Sequence, residues 1–188
     1  MIFLLKFGII ILNKRMKGVT VVYNVGDIVF YSATGICEVK HIGDPGVGLP
    51  THTDYYTLQP LSKNHKEMIY VPINTKVFMR EVISADRAQG YIDTVKELSP
   101  VDPATRNPKM IQDFYSNLMG TYDSKNLLLI IVSLTAKKRE LACKNKSLNQ
   151  TQTSFLKRAQ EMVYNEFAYA LGKTSDEIAG IIEKEITA

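Results

Sequence analysis

Few side chains in this sequence could do covalent or metal chemistry. His41, His52 and His65 and the two cysteines, Cys37 and Cys143, are the obvious candidates. No pair has C-x-x-C or H-x3-H spacing, so they do not form a zinc-ligand pattern. The thiols read as free cysteines of a reducing compartment, and the histidines as surface or packing residues on a strand and two loops. Asp27 follows Gly26 at the start of a strand pattern, where a turn uses an aspartate more readily than catalysis does. G-x-x-x-x-G-K-[ST], G-x-G-x-x-G and G-x-S-x-G do not occur, and an enzyme is not expected. Tyr55-Tyr56 could present an aromatic platform or form part of a barrel wall.

Charge is more informative. The 188 residues carry a net +4, unevenly spread. Residues 124–158 hold Lys125, Lys137, Lys138, Arg139, Lys144, Lys146, Lys157 and Arg158 against Glu140 alone, a net +7. Residues 159–188 are acidic, net −4. A basic block of that density is an electrostatic footprint for phosphates or an acidic partner, or else a solvated helix face.

The elements that must carry these residues divide the chain in two. From Tyr23 to Arg80, short runs of β-formers alternate with turn signals. Strands are expected from Ile28, over Ile36 to Ile42, over Asp54 to Leu61, over Glu67 to Val71 ahead of Pro72, and over Phe78 to Val82. Strict alternation in the second puts Ile36, Glu38, Lys40 and Ile42 on one face and Cys37, Val39 and His41 on the other. Five short strands in so few residues predict a small SH3- or Tudor-like β barrel. Helical patterns follow. Ser84 caps a helix through Glu97. Pro108 opens a second, with Ile111, Phe114, Tyr115 and Leu118 inward and Gly120 at its end. Asp123 or Ser124 starts a third, apolar over Leu127 to Leu134 and basic over Lys137 to Lys146. Lys144 to Thr153 reads as a polar linker. Phe155 to Ala170 gives the fourth stripe, ended by Gly172. Thr174 to Glu177 has the form of a capping box before the fifth.

The expected fold class is therefore α+β, a small barrel followed by an all-α domain of about five helices. Expected divisions are residues 1–19, 20–83 and 84–188. Ile2 to Leu12 is apolar except for Lys6, shorter than the roughly 20 residues a membrane span needs. It reads as a membrane-touching anchor, a helix packed on the fold, or a mis-called start with Met16 the true first residue; the last is preferred. A cytoplasmic protein is expected.

The order of motifs resembles a known family. Val25-Gly26-Asp27-Ile28-Val29-Phe30-Tyr31, Gly35-Ile36, Ile42, Tyr55-Tyr56-Thr57-Leu58, Met68-Ile69-Tyr70-Val71-Pro72 and Met79-Arg80 resemble the CarD/CdnL family of bacterial transcription regulators. The same module resembles the RNA-polymerase-interacting domain of transcription-repair coupling factors. Ser147-Leu148 to Ala159 is similar to a helical segment of that family, so the resemblance covers roughly residues 20–172. It implies a barrel that docks on the polymerase β subunit by an exposed strand edge, here Met68, Ile69, Tyr70 and Val71. It also implies a helical domain touching promoter DNA at the edge of the melted bubble, modulating open-complex stability. The DNA candidates are Lys109, Lys137, Lys138, Arg139, Lys144, Lys146, Lys157 and Arg158, mostly to the backbone. No cofactor, metal or small-molecule substrate is implied. The chain departs from the family pattern in four places: Phe30 to Gly35 lacks the usual Pro and His, Met79-Arg80 lacks the preceding Gly, Asn107-Pro108-Lys109-Met110-Ile111 replaces an N-W-x-R-R segment, and Gln152 replaces a Glu. An interaction module that keeps the barrel without DNA function is the alternative.

Overall fold

The computed structural model describes residues 23–50, 53–62, 67–103, 105 and 107–187. The apolar extension over residues 1–19, the alternative start Met16, His52 and His65 lie outside them.

Five strands form one antiparallel sheet: β1 (Ile28–Tyr31), β2 (Gly35–Gly43), β3 (Tyr55–Pro60), β4 (Ile69–Pro72) and β5 (Met79–Glu81), in the order β4-β3-β2-β1-β5. The Val25-Gly26-Asp27 opening is a turn clamped onto β2. Gly26, at φ 93°, donates its N–H to the Val39 carbonyl at 2.8 Å. Val39 returns the bond to the Asp27 carbonyl, and the Asp27 carboxylate accepts from the Asn24 N–H at 2.7 Å. A side chain at position 26 would need a backbone conformation that L-residues seldom adopt. Asp27 is thus a turn residue.

The sheet has apolar side chains on both faces. Val29, Cys37, Val39, Tyr56, Leu58 and Val71 form one buried cluster with Tyr23. Ile69 on β4 and Met79 on β5 pack against that same cluster. Strands at opposite edges can share a core only if the sheet curls round it, which is the expected barrel-like form. Phe30 and Ile36 point the other way, into the helical core.

One strand departs from simple alternation. Val39 pairs with Leu58 but His41 pairs with Thr57, so Lys40 is an extra residue in β2. This bulge shifts the side-chain alternation by one. Ile42 therefore joins the Cys37 and Val39 cluster instead of sharing a face with Ile36, and His41 is exposed.

The helices are α1 (Ala85–Thr94), α2 (Pro108–Met119), α3 (Ser124–Ala142), α4 (Gln150–Leu171) and α5 (Ser175–Thr187). Ser84, Asn107, Asp123 and Asn149 cap the first four with side-chain acceptors. In the Thr174 capping box, Glu177 accepts the Thr174 N–H at 2.7 Å and Thr174 Oγ1 accepts the Glu177 N–H at 3.2 Å. That bonding holds the exposed Glu177 carboxyl below its ordinary pKa.

Three local expectations change. α1 tightens into a 3-10 turn over Val95–Glu97. Gly120 stays right-handed, and the left-handed residue is Tyr122, at φ 50°. The Tyr122 hydroxyl accepts from Ser32 Oγ at 3.0 Å and its ring packs on Phe30 and Phe78, so sheet contacts hold this strained position. The polar stretch Lys144 to Thr153 is not all linker, because α4 begins at Gln150. Asn149 and Gln152 form an amide capping box, and Gln152 is buried.

Sheet and helices meet at Arg80 of β5 and Glu166 of α4. Glu166 has no solvent exposure and receives both guanidinium nitrogens of Arg80, Nη2 at 3.0 Å. Ser124 Oγ donates to it at 3.1 Å and the Ile83 N–H at 3.2 Å. The Arg80 guanidinium also lies 4.3 Å from the centre of the Phe30 ring. A buried carboxylate without its cation is costly. Glu166→Ala strands the partly buried Arg80 and is expected to lower stability by about 3–5 kcal/mol in urea unfolding. A loss under about 1 kcal/mol would show the pair to be no stronger than a surface ion pair.

Candidate functional site

Two surfaces stand out, a sheet edge and the basic end of the helical bundle. The edge is β4, hydrogen-bonded among the described residues on one side only, to β3. Antiparallel partners alternate between pairs that exchange backbone bonds and pairs that point them away. The Ile73 N–H donates to the Asp54 carbonyl at 3.0 Å. Counting from there through the register, Val71–Tyr56 and Ile69–Leu58 bond inward, whereas Tyr70 and Pro72 face outward. Tyr70 therefore points an N–H and a C=O outward along the edge, with no backbone partner among the described residues. Pro72 falls where an N–H is not needed for the ladder.

The side chains divide the same way. Val71, 2% exposed, and the partly buried Ile69 belong to the sheet core, so they reach a partner only through their effect on the backbone. Tyr70 (36% exposed) and Met68 (42%), which precedes β4, are accessible. The opposite edge is less open. On β5 the Glu81 carbonyl accepts from Arg80 Nη1 at 2.9 Å, and the chain is then tied to Glu166 through Ile83.

Connections of a few residues make α2, α3 and α4 run up, down and up. The start of α2, the end of α3 and the start of α4 consequently share one end of the bundle. Lys109 joins Lys137, Lys138, Arg139, Lys144 and Lys146 there, although it is distant from them in sequence; Lys157 and Arg158 lie two turns into α4, just before Glu161, which accepts from Ser62 Oγ after β3 at 2.8 Å. The α3 N-terminus lies instead at the sheet, through Ser124. Fourteen residues of helix separate Ser124 from Lys138, about 21 Å at 1.5 Å per residue.

These bases are not equivalent. Asp102 holds Lys137 Nζ at 2.7 and 2.9 Å. Glu140 holds Lys144 at 2.5 Å, which lowers the carboxyl pKa and raises that of the ammonium. Arg139 donates to the Ile186 carbonyl at 3.5 Å. Lys109, Lys138, Lys146, Lys157 and Arg158 are exposed without a carboxylate partner among the described residues. The first turns of α2 and α4 carry no acidic residue, so their positive dipole ends add to the same field. Met110, beside Lys109, is an exposed apolar side chain.

Sequence reasoning did not pick out Glu166 or Asp102. The partner of Arg80 lies 86 positions away on a helix face that reads as core. Asp102 has a faint signal in standing between two prolines that fix its backbone.

A family model for the CarD-like/TRCF RID domain matches residues 23–83. These residues form a CarD-like/TRCF RID domain. The domain is the RNA-polymerase-interacting part of the CarD family. The match ends where α1 is about to begin, so it spans the whole sheet and none of the five helices. No curated protein matches the chain. Arg80, the last residue of the motif series, is the guanidinium that docks this domain on α4.

The RID core also sets the chemistry of Cys37. Burial pushes its thiol up to about 12, and its Sγ donates to the Gly35 carbonyl at 3.7 Å. Cys143 is exposed at the end of α3. A thiol reagent should modify Cys143 quickly and Cys37 only on unfolding. The unfolded thiol ionises near 9.0, so the neutral buried form contributes stability fully below that pH. The contribution is lost as pH rises toward 12. Two equally fast thiols in the folded protein would contradict the closed core.

Proposed function

We propose that this chain is a non-enzymatic bacterial transcription regulator that docks on the polymerase β subunit by strand addition at β4. What carries the reading is the outward-facing backbone of Tyr70 on the open edge of an RNA-polymerase-interacting domain. Met68 and Tyr70 supply the side-chain contacts, and Ile69 and Val71 hold the strand in place. Two or three edge bonds, each worth about 0.5–1.5 kcal/mol net, suit a reversible contact. Such a role places the protein in the cytoplasm. No helix among the described residues is long and apolar enough to cross a membrane.

The test is binding of the full chain to the isolated β-subunit lobe. Tyr70→Pro removes an N–H that the β3 ladder does not use, so the fold should persist while affinity falls about tenfold, the equivalent of one good edge bond. Tyr70→Glu should weaken binding further. Unchanged binding in both variants, with the wild type binding, would remove β4 from the interface.

The helical end, in the same proposal, contacts promoter DNA through the phosphate backbone and so alters open-complex stability. Its support is a run of exposed bases with no carboxylate partner among the described residues, together with acid-free starts of α2 and α4, with Lys138 about 21 Å along α3 from Ser124. A molecule built this way can hold polymerase at one end and duplex at the other. Lys138, Lys146, Lys157 and Arg158 are the principal contacts and Lys109 flanks them. Reversing Lys138, Lys157 and Arg158 to Glu should weaken duplex binding. Its salt dependence should flatten by about one unit for each phosphate that is no longer neutralised. A second reading, an interaction module without DNA function, is favoured by the internal pairing of Lys137, Arg139 and Lys144. It predicts no change on charge reversal.

A further inference from the structure

The ion pair between Asp102 and Lys137 differs from the other pair on the basic end. Glu140 and Lys144 are one helical turn apart on α3, and both side chains are more than half exposed. Such pairs exchange with solvent at little cost. Asp102 reaches Lys137 from a different segment, 35 positions away, and offers it both oxygens. Its backbone is held on either side. Pro100 and Pro103 restrict the chain, and the adjacent Val101 N–H donates at 2.9 Å to Ser133 Oγ, a buried hydroxyl on α3 one turn before Lys137. Little conformational entropy is lost in keeping the carboxylate there. The Lys137 side chain is 25% exposed, less than the basic residues that follow it on α3.

We infer that Asp102 is a built-in competitor for DNA phosphate, occupying the Lys137 ammonium until a phosphate displaces it. The inference rests on the DNA-contacting reading of the basic end. A carboxylate with both oxygens on an ammonium fills the place that a phosphate oxygen would take. While the pair is closed, Lys137 adds nothing to the charge facing a duplex, and the exposed Asp102 repels the backbone. Glu140 is a weaker competitor of the same kind, because its pair is more exposed.

The experiment is equilibrium binding of the full chain to a mixed-sequence DNA duplex over a range of salt concentrations. The proteins are the wild type, Asp102→Asn, Glu140→Gln and the double variant Asp102→Asn with Lys137→Gln. Asp102→Asn is nearly isosteric, and a melting curve verifies that it folds. Freeing Lys137 should tighten binding about two- to fivefold at low salt, the range of an exposed ion pair. It should also steepen the salt slope by about 0.9, one further phosphate neutralised. Glu140→Gln should gain less, and the double variant should lose both effects. If Asp102→Asn matches a wild type that does bind duplex, the competitor assignment is overturned and the DNA reading stands. A gain that survives in the double variant also overturns it, since the effect would then be general charge. If no protein binds duplex, both the inference and the DNA reading fall.

Discussion

A carboxylate removed wholly from water is stable only when cations and donors surround it, and Glu166 meets that condition on every side. Its ligands come from β5, from the loop after β5 and from the start of α3. Each piece would have unsatisfied partners if the sheet moved. The ion pair therefore does more than add energy. A hydrophobic contact between sheet and helices tolerates sliding, whereas a two-pronged guanidinium–carboxylate bond fixes both distance and angle. Arg80 is further wedged against Phe30 and reaches the Tyr122 carbonyl at 3.4 Å. The strained Tyr122 belongs to the same joint, so the place where the chain turns from α2 to α3 is set by the sheet.

Function follows from that fixed orientation. With α3 starting at the sheet and ending among lysines, the β4 edge and the basic helix surface are the two features on which the proposed function rests. The apolar stretch Leu127 to Leu134 makes α3 the buried axis of the helical part. Neighbouring α4 returns along it and carries the buried Glu166 back toward the sheet.

Electrostatics on the basic end depend on tertiary placement more than on composition. A count of bases gives a large positive block, but three of its members are engaged within the molecule. The remaining charge is carried by exposed lysines and one arginine on α2, α3, the α3–α4 turn and α4, reinforced by two helix starts that lack acids. The proposed duplex contact rests on that exposed charge, because many weak phosphate contacts add up.

Much of this architecture was legible in the sequence because it is local. Alternating β-branched residues, the Gly26-Asp27 turn, Pro108, the Thr174 capping box and the apolar stripes of α3 and α4 report structure over a few residues, and each lies where its pattern predicts. The motif series from Val25 to Arg80 likewise marked the RNA-polymerase-interacting domain. Signals failed where two distant segments decide the outcome. The Lys40 bulge moves Ile42 to the other face, because β2 must match both β1 and β3 while curling, and no alternation rule contains that constraint. Asn149 and Gln152 look like linker until the side-chain oxygen of each is seen to accept the other's backbone N–H. The partners of Arg80 and Lys137, and the outward direction of the Tyr70 backbone, depend on which chains lie alongside. Sequence by itself determined the elements, their order and the domain type, since these follow from short-range sterics and hydrophobic period. Only the tertiary structure decided which charges are free, which edge is open and how the two halves face each other, because those are properties of long-range pairing.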